Sequence, residues 1–229
     1  MKFKIRKEPI EKGNVLFNKT ILEINPGVVS CIVGCNGSGK TTLVREIKEK
    51  IKDNGGKELK NDLYHKAFAN LFKSNDEEKD KKNIYFIDFD KNADTYNKEE
   101  DYFFNRMEVA TSATGEGIMQ RAGRICYFIG QTIRNLEEGS QLYIFMDDCD
   151  AGTSIDMIND IKAVFPLIIK DSQRLGLDIY IITTANSFEF CKDCDCISVH
   201  DFKHKQFRSY ETFKKFVLKS RELKENRGW

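Results

Sequence analysis

The sequence predicts an α/β fold with a mainly parallel core sheet. Three observations point there. Short apolar runs, "VVSCIVG" at 28–34, "NIYFIDFD" at 83–90, "LYIFM" at 142–146 and "DIYIITT" at 178–184, read as buried strands. Segments of helical period lie between them, at 40–52, 118–136 and 154–175. A glycine-rich turn joins the first run directly to the first helix. Strands that alternate with helices build a parallel sheet with crossover helices. One domain over 1–229 is expected, with an antiparallel β edge at the N-terminus and a small helical or loop insertion over about 53–117.

The elements follow in order. "KFKIRK" alternates and reads as an edge strand, and "VLFNKTILEI" as a second strand turned by Asn25-Pro26-Gly27. "VVSCIVG" is a buried strand, and "KTTLVREIKEKIK" a helix. "DNGGKELKND" breaks the pattern, and 64–82 is charged and helical or loose. Residues 91–117 read mostly as loop, with a short helix near "EEDYFFNRM". Over 118–136, Ile118, Ile125, Phe128, Ile129 and Ile133 share one helix face. Pro166 is expected to kink or divide the helix over 154–175. "CISVHDF" reads as a strand and 209–224 as a terminal helix.

Composition narrows the class. The chain is 40% hydrophobic and 11% aromatic, as a packed domain should be. No apolar run reaches the roughly 20 residues that span a bilayer. The opening "MKFKIRKEPIEKG" places charges where a signal peptide needs apolar residues. A soluble, cytoplasmic protein with no membrane partner is the expectation. The seven cysteines are an odd number, and Cys31 and Cys35 flank the glycine turn, so no disulfide framework is expected. Net charge is +1, from 37 basic and 36 acidic residues, which gives no global argument for nucleic acid. The basic ends, "KFKIRK" and 202–227, are solvated faces or a patch for a polyanion.

Gly34-Cys35-Asn36-Gly37-Ser38-Gly39-Lys40-Thr41 fits the eight-position phosphate loop at every fixed place. Its glycines let the backbone turn its N–H groups inward, and the helix from Lys40 adds the positive end of its dipole. A P-loop NTPase fold follows, with a nucleotide phosphate and Mg²⁺ as ligands. Asn36, Gly37, Ser38, Gly39 and Thr42 complete the cradle, Lys40 reaches the outer phosphates, and Thr41 holds Mg²⁺.

The run "LYIFM" ends in Asp147 and Asp148. A carboxylate at the tip of a strand neighbouring the loop strand would sit beside the phosphates. Asp147 would hold the Mg²⁺ shell through water, and Asp148 would orient or deprotonate the attacking water.

With these motifs the chain resembles the ATP-binding-cassette (ABC) ATPases, in particular the soluble kind related to chromosome-maintenance and recombination-repair heads. "NGSGKTTL" has that wording, and "MDDCDAGTSID" looks like the Walker B stretch followed by its Ser-x-Asp loop, Ser154-Ile155-Asp156. "TSATGEG" looks like the signature stretch, with Ser112, Thr114, Gly115 and Glu116 as its polar and glycine positions. "YIITTANSFEF" takes the place of the switch strand. The resemblance implies a head-to-tail dimer in which one signature meets the nucleotide held by the other chain, with Asp156 near the two-fold axis.

The departures are specific. Asp148 stands where the family has Glu, and Ala185 or Asn186 where it has the switch His. The usual glutamine ahead of the signature is missing, and Asp88 or Asp90 is the candidate substitute on the metal side. Ser112 lies one place too far from Gly115-Glu116. The expected activity is therefore slow ATP hydrolysis, with ATP-dependent homodimerisation controlling a separately encoded protein or DNA. The alternatives are a nucleotide-gated module that does not hydrolyse and a small-molecule P-loop kinase. The kinase leaves "DDCDAGTSID" unexplained.

Two weaker groups remain. Cys191, Cys194, Cys196 and His200 have the residue types of a zinc site, or are a turn entering a strand. Phe3 and Phe17 are core residues or stack on adenine.

Overall fold

The computed structural model describes residues 1–6, 17, 21–59, 83–89, 126–148, 150 and 154–226. Strands β1 (Lys2–Lys4) and β2 (Ile21–Glu23) pair antiparallel as a sheet of their own. The expected antiparallel N-terminal β element is thus present, as a two-stranded sheet whose Phe3, Leu22 and Ile24 are buried with residues of the main sheet.

The main sheet contains β3 (Val29–Val33), β4 (Lys57–Glu58), β5 (Ile84–Asp88), β6 (Gln141–Met146), β7 (Asp178–Thr184), β8 (Asp195–Ser198) and β9 (His204–Lys205). Their order is β4-β5-β6-β7-β3-β8-β9. Every neighbouring pair is parallel except β8 and β9. The helices are α1 (Lys40–Asp53), α2 (126–135 among the described residues), α3 (Ile155–Arg174), α4 (Phe188–Cys191) and α5 (Tyr210–Glu225).

Strand alternation divides the core between the two faces of the sheet. Ile32, Tyr143, Phe145, Tyr180 and Ile182 pack with Leu43, Val44 and Ile47 of α1 and with the N-terminal sheet. Cys31, Val33, Leu142, Ile144, Ile179 and Ile181 pack with Phe128, Ile129 and Ile133 of α2 and with Phe165 and Ile168 of α3. Each fully buried aliphatic or Phe side chain contributes about 1.5–3 kcal/mol. These two layers hold the strand ends in fixed relation.

The carboxyl ends of the parallel strands carry the chemistry-bearing residues. The β6 strand was expected beside β3, but β7 lies between them. The intervening strand ends in Thr184, whose small hydroxyl side chain bridges the gap. Pro166 does not divide α3, which runs unbroken for 20 residues. Pro166 is on the exposed face, where water can take the carbonyl its ring leaves without a donor. The helical or loose stretch expected over 64–82, the loop expected over 91–117, and the first half of the helix over 118–136 lie outside the described residues.

Candidate functional site

The turn from β3 to α1 has the conformation its glycines allow. Gly37 and Gly39 have φ of 72° and 95°, the left-handed region that other residues rarely adopt. A Cβ on Gly34 would collide with Ser38 Oγ and come within 2.7 Å of Val199 Cγ1. Gly39 is the N-cap of α1 and makes no side-chain cap, so the first-turn N–H groups of this helix have no capping side chain. Such an end attracts an anion. Among the described residues, Ser38 Oγ is buried without a hydrogen-bond partner, an orphaned polar atom inside the loop.

Lys40 folds back over the loop. Its Nζ donates to Gly34 O at 3.1 Å and to Cys35 O at 3.2 Å. It is 8% exposed. Burial lowers its pKa from the ordinary lysine value, while the Cys35, Asp148, Asp147 and Asp150 side chains pull the other way. Phosphate oxygens would replace neutral carbonyls with charge-assisted partners.

Next to the lysine, Thr41 Oγ1 donates to Asp147 Oδ2 at 2.9 Å, and Thr184 Oγ1 donates to Asp147 Oδ1. The Thr184 hydroxyl also accepts from Asp148 N at 2.8 Å. One threonine therefore orients both acids. Asp148 has φ 56°, a left-handed conformation that Asp tolerates better than most side chains. Asn186 Nδ2 donates to Asp148 Oδ1 at 2.7 Å. Asp150 accepts from Asn186 N at 2.9 Å and from Ser187 N, which pins the turn after β7.

Lys40, Thr41, Asp147, Asp148 and Asn186 are thus brought together. Asn36, Gly37, Ser38, Gly39 and Thr42 lie on the loop and the first turn beside them. Thr41 and Asp147 offer only oxygen donors, the hard set that Mg²⁺ takes. Asp156 is exposed in the first turn of α3, and the Ser154 hydroxyl holds its carboxyl below the usual range. Ser112, Thr114, Gly115, Glu116 and Asp90 lie outside the described residues.

One expectation changes, and two readings left open are decided. Asp88 does not join the Thr41–Asp147 pair: it forms an ion pair with Lys48 at 2.6 Å, because β5 is the far neighbour of β6. Phe3 and Phe17 are core residues, 2% and 0% exposed, in ring contact with Tyr143 and Phe202. His200 leaves the four-residue zinc set, since its Nε2 meets Ser220 Oγ at 2.6 Å.

The last turns of α5 were missed by sequence reasoning. Ser220 Oγ accepts from Cys35 N at 2.8 Å, and Lys224 Nζ donates to Asn36 O at 3.0 Å. A cavity of about 510 Å³ opens between the loop, Asn186 and Val217, Arg221 and Lys224 of α5. Thr184 and Asp150 were also missed. A second Thr at a strand end and a third acid after Walker B are the only sequence signals for them.

The family model described as ABC transporter matches residues 17–143, more than half of the 229-residue chain. No curated protein matches the chain. The chain belongs to the ABC transporter family, as a P-loop ATP-binding domain of the ABC ATPase type.

Proposed function

We propose that the chain binds Mg·ATP on the 34–42 loop, hydrolyses it slowly, and uses it to join two copies head to tail. The observation that carries the reading is the hydrogen-bonded row Thr41–Asp147–Thr184–Asp148–Asn186, placed beside a buried lysine. Lys40 would hold the outer phosphate oxygens. Thr41 and Asp147 would hold Mg²⁺, which supplies charge neutralisation to the phosphates.

Asp148 is the base of the proposed step. It takes a proton from water as the water oxygen bonds to the γ-phosphorus. The bond to the β–γ bridging oxygen breaks, and ADP leaves with that electron pair. Asn186 fixes one Asp148 oxygen and leaves the other for water. Asp148 is one methylene shorter than Glu, so its reach to that water is shorter. A displacement of about 1 Å costs on the order of 100-fold, which supports a low rate.

The head-to-tail pairing rests on "TSATGEG" facing the partner's loop, and it would control a separately encoded protein or DNA. Among the described residues, no helix is long and apolar enough to cross a membrane. A second reading, a nucleotide-gated module without turnover, is favoured by the Asn186–Asp148 bond, which occupies one oxygen of the base.

The test is a pair of measurements. Calorimetric titration should show Mg·ATP binding that Lys40→Ala abolishes, and unchanged affinity in that variant would sink the assignment. Phosphate release then separates the readings. A slow rate that Asp148→Asn removes supports the ATPase, whereas binding with no release leaves the gated module.

A further inference from the structure

Behind the phosphate loop, three thiols converge from three elements. Cys31 lies in β3, Cys191 ends α4, and Cys196 lies in β8. Cys31 and Cys196 are direct register partners on parallel strands, so their side chains leave the same face of the sheet. All three are fully buried, and their sulfurs lie within 4.8 Å of one another. The Cys31 and Cys191 sulfurs are 4.0 Å apart.

We infer that Cys31, Cys191 and Cys196 form a three-thiolate site for a thiophilic metal ion, zinc(II) or copper(I). The geometry fits ligation. A metal–sulfur bond of about 2.3 Å sets sulfurs about 3.8 Å apart in a tetrahedral site and about 4.0 Å apart in a trigonal one. The donor set fits too, since thiolates select soft ions over Mg²⁺. All three cysteines are free, so no disulfide consumes them. The sulfurs face one another, whereas a cysteine used only as a small hydrophobe would face hydrocarbon. Cys196 Sγ donates to Cys191 O at 3.3 Å, which closes the α4–β8 turn around the group.

Cys194 stays outside the triangle, donating its thiol to Phe190 O at 3.2 Å. Ligation releases the thiol protons to solvent as metal–sulfur bonds form. Lys162 Nζ reaches the carbonyls of Glu189 and Lys192 at 2.9 and 2.5 Å, which places a cation beside the same turn. The ion would tie β3, three residues before Gly34, to α4, which starts just after Asn186 and Ser187. It would fix the switch turn against the phosphate loop without touching nucleotide.

The sequence shows only part of this group, because Cys31 lies 160 residues before Cys191. The test starts from metal-stripped, reduced, full-length protein, kept anaerobic. It is titrated with zinc(II), with copper(I), and with cobalt(II) as a coloured probe of thiolate ligation. The expected result is one equivalent of zinc or copper per chain, a thiolate-to-cobalt charge-transfer band, and a raised thermal midpoint in the wild-type protein. Cys31→Ser and Cys196→Ser should lose the stoichiometric binding, and Cys126→Ser and Cys194→Ser should keep it. Folded wild-type protein that takes up none of the three ions overturns the site. So does unchanged binding in Cys196→Ser, or loss in Cys194→Ser with the fold intact by circular dichroism. Calorimetric ATP binding, run separately, keeps this result distinct from the nucleotide reading.

Discussion

Asn186 Nδ2 donates to Asp148 Oδ1 at 2.7 Å, so the residue at the switch position holds the acid that follows the Walker B aspartate. The bond joins the end of β6 to the end of β7, and the left-handed φ of Asp148 turns its side chain toward that turn. Two residues that act through one bond should not act independently. Asn186→Ala removes one hydrogen bond, about 1 kcal/mol, and should lower the single-turnover ATPase rate by roughly 5- to 10-fold. Asp148→Asn removes the proposed base and should lower it by at least about 100-fold. The double variant should match Asp148→Asn alone. Multiplying effects in the double variant would show that Asn186 works by another route.

Asp147 gives a prediction about the metal. Thr41 and Thr184 both donate to its carboxylate, so only an acceptor-only group suits the position. Asp147→Asn brings its own donors against two hydroxyls and takes away a negative charge. Titrations with and without Mg²⁺ should show metal-strengthened ATP binding in the wild type and little metal effect in this variant. An equal Mg²⁺ effect in both would remove Asp147 from the metal shell.

Lys40 makes stability depend on pH with a defined sign. Burial lowers its folded pKa below the ordinary value of 10.5. Between the lowered value and 10.5, the unfolded chain binds more protons than the folded one. Stability therefore rises with pH across that window, and the penalty of burying the charge is fully relieved only above it. Lys40→Met lacks this term. Thermal midpoints of the wild type, relative to Lys40→Met, should climb as pH approaches 10.5 in the absence of nucleotide. A flat difference would mean that the ammonium is well solvated.

Ser220 ties α5 to the phosphate loop through Cys35 N, and His200 Nε2 meets the same hydroxyl. Ser220→Ala leaves a buried N–H without its partner, at a cost of about 1–3 kcal/mol. For a chain of this size, each kcal/mol lowers the thermal midpoint by about 2–4 °C. Calorimetric melting should show a drop of about 2–12 °C, with weaker ATP binding as the loop loses its brace. A melting point equal to the wild type would make the contact incidental.

How much of this was legible follows from the range of each interaction. The phosphate loop was readable because its chemistry is local: glycines at left-handed positions, then Lys40 and Thr41, within eight residues. The buried strands were readable from their apolar runs. The order of strands was not, since nothing in "DIYIITT" says that β7 inserts between β3 and β6. Thr184 looked like an ordinary strand residue until that insertion made it the bridge to Asp147. Ser220 lies 185 residues from Cys35, and no local pattern announces the pair. The strands β4 and β9 are two residues long, too short for alternation to register. Asp88 was misread because its strand end resembles that of β6, while its place in the sheet gives it to Lys48.

In the proposed sandwich, the signature stretch of one chain faces the nucleotide on the partner. Ser112 to Gly117 should then lie across from the partner's Lys40, with Asp156, already exposed at the start of α3, near the two-fold axis. A helix N-terminus and one or two hydroxyls facing a γ-phosphate give charge-assisted contacts of about 1.5–3 kcal/mol each. Loss of that phosphate removes them at both sites together, so occupancy and assembly should switch as one. Asp148→Asn, which keeps ATP intact, should form a dimer with saturating ATP and return to single chains with ADP. Light scattering with each nucleotide reads this directly. Gly115→Asp sets a carboxylate against the phosphate and should block the dimer while the single chain still binds ATP. A mass that stays at one chain with saturating ATP would rule out the homodimer and turn the signature toward a different protein.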